Sequence, residues 1–142
     1  MKTSRDLLSS VLRTVQLDQT GIRSVLDTSI RPGLRRALES QLRELDSIES
    51  EAYTVASQRG WDLREREPGA RFLSDLAVRI RMTHGDCDSK IAGMMIHGNT
   101  KGMIRSYRNL HHYPLQDDRI SSICQKLIDC ETANIRQMQS YL

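Results

Sequence analysis

At 142 residues the chain has the length for one hydrophobic core and falls short of two, so a single domain spanning 1–142 is expected. Apolar residues make up 38% and aromatics only 4%, which leaves Leu, Ile, Val, Ala and Met to fill the interior and favours helix-on-helix packing over a sandwich or barrel. The net charge of +3 comes from 21 Lys and Arg against 18 Asp and Glu, with basic pairs such as Arg35-Arg36 standing alone, which argues against nucleic acid as a partner.

The N-terminal segment Met1 to Asp6 leads into an amphipathic pattern without an apolar signal region. Leu8, Val11, Leu12, Val15, Ile22, Val25 and Leu26 then recur at spacings of three and four, and predict a first helix from Arg5 to Ser29. Pro32-Gly33 breaks the chain, and so short a connection implies an antiparallel neighbour. The second helix is expected over Leu34 to Gln58, its stripe running through Leu38, Leu42, Leu45, Ile48, Ala52 and Val55. Gly60 falls where a left-handed cap belongs, and Trp61 follows to close that end.

Asp62 to Gly69 is a charged connector. The third helical region, Ala70 to Leu110, carries apolar positions at Phe72, Leu76, Ile80, Cys87, Ile91, Met94, Met95 and Ile104. Gly85, Gly93, Gly98 and Gly102 interrupt it, so a bend or break is expected near Gly85, and Gly93, Gly98 and Gly102 mark a close helix contact within the bundle or across a dimer. After His111-His112-Tyr113-Pro114, a fourth helix is expected from Asp117 to Tyr141, with Ile120, Ile123, Cys124, Leu127, Ile128, Ile135, Met138 and Leu142 on its buried face. The fold class is therefore all-α, an antiparallel up-down four-helix bundle with a long third helix.

No run of about 18 apolar residues occurs, so no membrane span is expected, and the location is expected to be cytoplasmic. Cys87, Cys124 and Cys130 form no CxxC pair and read as reduced thiols.

Some polar residues fall where the helical period calls for apolar ones: Asp18 and Gln19 on the first helix, Gln41 on the second, His84 on the third, Glu131 and Asn134 on the fourth. Carboxylates and histidines aimed into a bundle core are how di-iron proteins hold metal, which makes Glu131, His84 and Asp18 candidate metal ligands. The bland reading is a paired core carboxylate beside one of the many arginines, with His84 a core or kink residue. His84, Cys87 and Asp88 share a face by spacing, but a zinc site needs a second cluster to complete its ligands. Met94-Met95-Ile96-His97 suits core filling better than a soft metal. Neither a phosphate loop nor a nucleophile-base set is present, so no catalytic residue and no cofactor beyond a possible metal ion is assigned.

The segment Glu51-Ala52-Tyr53-Thr54-Val55-Ala56-Ser57-Gln58-Arg59-Gly60-Trp61 resembles the matching helix end of spore coat protein F-like proteins, which belong with the ferritin-like bundles. Met94 to Ile104 and Glu131 to Met138 resemble uncharacterised bundle proteins of spore-forming Firmicutes. The resemblance implies a ferritin-like fold and a structural, spore-associated role. It also exposes a departure, because iron-binding members carry Glu-x-x-His on two helices, whereas this chain has Glu131-x-x-Asn134 and, on the second helix, Asp46-x-x-Glu49. The expected function is a non-catalytic bundle protein that self-associates as a dimer, with a metal-binding protein of unusual ligand set as the alternative and a peptide-binding adaptor as a third possibility.

Overall fold

The computed structural model describes residues 3–63, 87–112 and 117–142. Within them lie four helices and no strand: α1 (Ser4–Leu26), α2 (Pro32–Gln58), α3 (Cys87–His112) and α4 (Asp118–Gln139). The bend expected near Gly85 and the stretch from Ala70 that precedes it lie outside the described residues. No helix among the described residues is long and apolar enough to cross a membrane.

The helix ends follow local chemistry. Thr3 and Asp6 form a reciprocal capping box on α1, the Thr3 hydroxyl accepting from the Asp6 amide at 3.2 Å and the Asp6 carboxylate from the Thr3 amide at 2.8 Å. Pro32, expected to break the chain, instead opens α2, because its fixed φ suits the first helical turn and its missing N–H would have no partner there. α1 stops at Leu26, three residues short of the expected Ser29, with Asp27 as its cap.

At the far end of α2, Gly60 adopts φ 69°, as its cap position requires, and the Trp61 amide turns back to the Ala56 carbonyl at 2.8 Å. The Arg59 guanidinium lies 5.5 Å from the Trp61 ring centroid and pairs with Asp117, the residue that caps α4. One arginine thus joins the end of one helix to the start of another. Replacing Gly60 with Ala is expected to cost about 1–2 kcal/mol, since only Gly accepts a left-handed backbone without a Cβ clash; the denaturant midpoint of the variant checks this.

α1 packs against α2 and α3, α4 packs against the same two, and α1 and α4 meet across the middle. Leu7, Leu8, Val15, Leu34, Leu38, Leu45, Ile120, Ile123 and Leu127 are fully buried, each contributing about 1.5–3 kcal/mol by leaving water. The stripes of α1, α2 and α4 follow the expected spacing, with Leu26, Leu42 and Ile135 half-buried at their edges; Leu142, expected on the buried face of α4, is 65% exposed because the helix ends at Gln139.

The buried face of α3 is different, made of Asp88, Ile91, Ala92, Asn99, Gly102, Ser106 and Asn109. Ile104, read as one of its apolar positions, is 43% exposed. It stands two residues beyond Gly102, roughly 200° around the helix, so it faces away from the core. α3 therefore offers its neighbours small and polar groups, and the interior opposite it becomes polar too.

Candidate functional site

Three helices meet at a buried carboxyl pair. Asp18 projects from the middle of α1 and Glu131 from the middle of α4, and Gly102 of α3 lies against them. Glu131 is 0% exposed, and neither of its carboxyl oxygens receives a hydrogen bond from a fixed donor among the described residues; the same holds for the buried Oδ2 of Asp18. Two carboxyls in contact satisfy each other only when a proton lies between them. Burial and the neighbouring Asp18 both favour the protonated form of Glu131, which assigns the proton of the pair to Glu131.

The electrostatics follow from the geometry. Burial is the main force pushing the Glu131 carboxyl above its usual range, followed by the hydrogen bond to Asp18 and then the Asp18 charge; Arg105 opposes them. Burial also raises Asp18, while its hydrogen bond with Glu131 and the nearby Arg105 hold it back. The pair therefore titrates as a unit, retaining one proton and one negative charge at neutral pH, with the guanidinium of Arg105 as counter-charge.

Spacing along each helix builds the surroundings. Thr14 precedes Asp18 by one turn, accepts from Arg105 Nη1 at 3.2 Å and donates to the Ser10 carbonyl at 3.1 Å. Gly102 precedes Arg105 by three residues, and a Cβ placed on it would lie 2.7 Å from Glu131 Oε1 and 3.1 Å from Thr14 Cγ2. The absence of a side chain at 102 is what lets the Glu131 carboxyl reach the centre. Asn134, one turn beyond Glu131, donates to Cys130 Sγ at 3.5 Å, and that thiol contacts Glu44 Oε2 at 3.5 Å. Burial pushes the Cys130 thiol up to about 12, so it stays protonated and unreactive.

Other polar ties fix the register around this centre. Gln19 donates to Asp46 at 2.8 Å between α1 and α2, Gln41 to Gln137 at 2.9 Å between α2 and α4, and Asn109 to Ser10 at 2.8 Å between α3 and α1. Each bond is worth only about 1 kcal/mol net, but a slipped helix would leave these buried groups unpaired at a larger cost.

A cavity of about 310 Å³ opens beside the pair between α1 and α3, with Asp18, Gly102 and Arg105 in its wall. Asn99 also lines it; that residue is 8% exposed, and its Nδ2 has no acceptor among the described residues.

Of the three candidate ligands, Asp18 and Glu131 come together, while His84 lies outside the described residues. Asp88 is engaged elsewhere, accepting from the Arg31 amide at 3.4 Å at the start of α2. Among the described residues no group of three or more His, Cys, Asp or Glu is placed to hold a metal ion. Of the three glycines, Gly102 makes the close approach just described. A Cβ on Gly93 would lie 4.0 Å from Leu142 Cδ2, and one on Gly98 would meet nothing within 4 Å. Sequence reasoning missed Thr14, Asn99 and Arg105. The signal was available in their helical spacing from Asp18 and Gly102, but an exposed-looking arginine and a lone threonine are common on any helix.

Compared with known protein families, curated proteins and solved structures, the chain matches none.

Proposed function

We propose that the chain is a ferritin-like bundle that has exchanged metal for a proton, and that it works by binding rather than by catalysis. The carrying observation is the Asp18–Glu131 contact, two carboxyls from facing helices meeting in the core where di-iron bundles gather their ligands. The antiparallel arrangement is supported by the order of the cross-helix contacts. Gln16 meets Tyr53 while Gln19 meets Asp46, and Ser10 meets Asn109 while Thr14 meets Arg105, so one helix ascends as its neighbour descends.

The donor set does not fit a two-metal centre. Asn134 stands where a histidine would complete Glu-x-x-His, and the remaining groups near the pair are Thr14 and the cation Arg105. A fixed positive charge beside the carboxyls takes the place of metal charge and would repel a divalent ion. The second reading, a single weakly held metal ion, draws on the buried and otherwise unpartnered oxygens of Asp18 and Glu131. Association with spores is part of the proposal through the resemblance of the Glu51–Trp61 segment, and pairing of two copies is supported by Ile104 and Tyr107, 43% and 47% exposed one turn apart on α3.

The test is elemental analysis of purified chain after incubation with iron(II), zinc or manganese and desalting. We expect metal well below one ion per chain. Stoichiometric metal that disappears in Glu131→Gln would contradict the proton-bearing pair and establish the second reading. Gel filtration of the same samples tests the pairing.

A further inference from the structure

The cavity between α1 and α3 exists because two glycines face it. Gly21 and Gly98 both line it, and a Cβ on either would meet no atom within 4 Å, so the space is where two side chains would otherwise be. Its volume of about 310 Å³ falls at the lower end of small-molecule sites. Leu17, Ile22, Met94 and Met95 give it apolar sides, and the two thioethers adapt readily to the shape of an apolar body.

The edge that α3 contributes is cationic. His97, Lys101 and Arg105 all line the cavity and recur every four residues, so an imidazole, an ammonium and a guanidinium stand in a row one turn apart. Like charges at this spacing on a helix repel, and an anion set beside Lys101 and Arg105 relieves that repulsion. Asp18 is the one acidic residue in the wall among the described residues, but its Oδ2 has no accessible surface, and its charge is shared with Glu131 and matched by Arg105. The Asn99 amide nitrogen is closed off as well.

Lys101 is left over. It is exposed at the edge of the cavity and has no ion-pair partner among the described residues. An amine in the cavity would face Lys101 and Arg105 together, and a neutral head would leave the Lys101 charge unanswered. A singly charged anionic head matches the single unmatched cation.

From this we infer that the cavity binds a small monoanion with a hydrocarbon body, of which a medium-chain carboxylate is the simplest case, its chain between α1 and α3 and its head on Lys101, with His97 as a second donor. The inference rests on the reading of the chain as a binding protein and gives that reading a ligand class.

The test titrates octanoate calorimetrically into the full chain, with octylamine and 1-octanol as matches of the same chain length and different head charge. Octanoate is expected to bind saturably at one site, at least about tenfold more tightly than octylamine and about fivefold more tightly than octanol. Lys101→Met keeps much of the side-chain length and removes the charge. It should weaken octanoate about fivefold, the size of a partly exposed ion pair, and leave octanol unchanged. Lys101→Arg should retain octanoate. Gly98→Leu should abolish binding by filling the cavity, while circular dichroism and thermal melting show a bundle as stable as wild type. Octanoate binding that survives in Gly98→Leu, or that is indifferent to Lys101→Met, would overturn the inference by placing the body or the head elsewhere. A preference for octylamine or octanol, lost in Gly98→Leu, would overturn the ligand class and leave the binding reading standing. Absence of binding by all three compounds would overturn the inference alone, because metal analysis and gel filtration test the proton-bearing pair and the pairing of two copies separately.

Discussion

Replacing Glu131 with Gln is expected to flatten the pH dependence of stability. The folded-state pKa of Glu131 lies above its ordinary value of 4.5, so above that pH the folded chain keeps a proton that the unfolded chain has released. Stability from this group is therefore complete in acid and is lost as pH rises through neutrality toward the raised folded value. For one retained proton the loss is at most about 1.4 kcal/mol per pH unit, or up to about 4 kcal/mol between roughly pH 5 and pH 8. Asp18, also raised by burial, adds to the same slope at its acidic end. Gln has the shape of the protonated acid and can donate to Asp18 at every pH. Its stability curve should run nearly level where the wild type falls, and the two should cross so that Glu131→Gln is the more stable at alkaline pH. Urea titrations across that range measure both curves. Parallel slopes would mean that Glu131 is ionised in the folded chain, and the shared proton would have to be abandoned.

The second large effect separates two glycines one turn apart on α3. Leu at 102 must enter space already held by Glu131 Oε1 and Thr14 Cγ2, the first of which a Cβ alone would approach to 2.7 Å. Glu131 is fully buried and its carboxyl is held by Asp18, so it has no free direction in which to withdraw. Gly102→Leu is expected to lose about 1–3 kcal/mol, even though leucine is the better helix former by about 0.8 kcal/mol. The same substitution at Gly98 meets open space on an exposed position, so the propensity gain stands alone and stability should hold or rise by up to about 0.8 kcal/mol. The comparison is internally controlled, since residue type, helix and direction of change are shared. Equal effects at both positions would show that helix propensity, rather than the contact with Glu131, decides the cost.

The sequence carried the fold further than the site. Leucines and isoleucines at spacings of three and four on α1, α2 and α4 announced three buried faces, because an apolar stripe has few other uses in water. Gly60 was legible as a cap for the same kind of reason: a left-handed position has one favoured residue. α3 was harder, since its buried face holds Asn99, Gly102, Ser106 and Asn109, and polarity marks a solvent face unless the partners are known. Ile104 then drew the stripe to the wrong side.

Asp18 and Glu131 stood out as polar interruptions of apolar stripes, but nothing in either helix says that they meet. That contact depends on α1 and α4 crossing the middle of the bundle and on the missing side chain of Gly102. Arg105 was invisible as the counter-charge because its role comes from α1, through Thr14, rather than from its own helix. The cavity is less legible still. It is a sum of two absent side chains on different helices, and only packing brings Gly21 opposite Gly98.

The most direct test of the shared proton is infrared spectroscopy of the carboxyl C=O stretch at neutral pH, comparing wild type with Glu131→Gln. The expected result is a protonated-acid band in the wild type that is absent from the variant and insensitive to added zinc or iron(II). If the wild type shows only ionised carboxylate bands, or if metal abolishes the acid band stoichiometrically, the core holds a charged ligand site and the proton-sharing pair is contradicted.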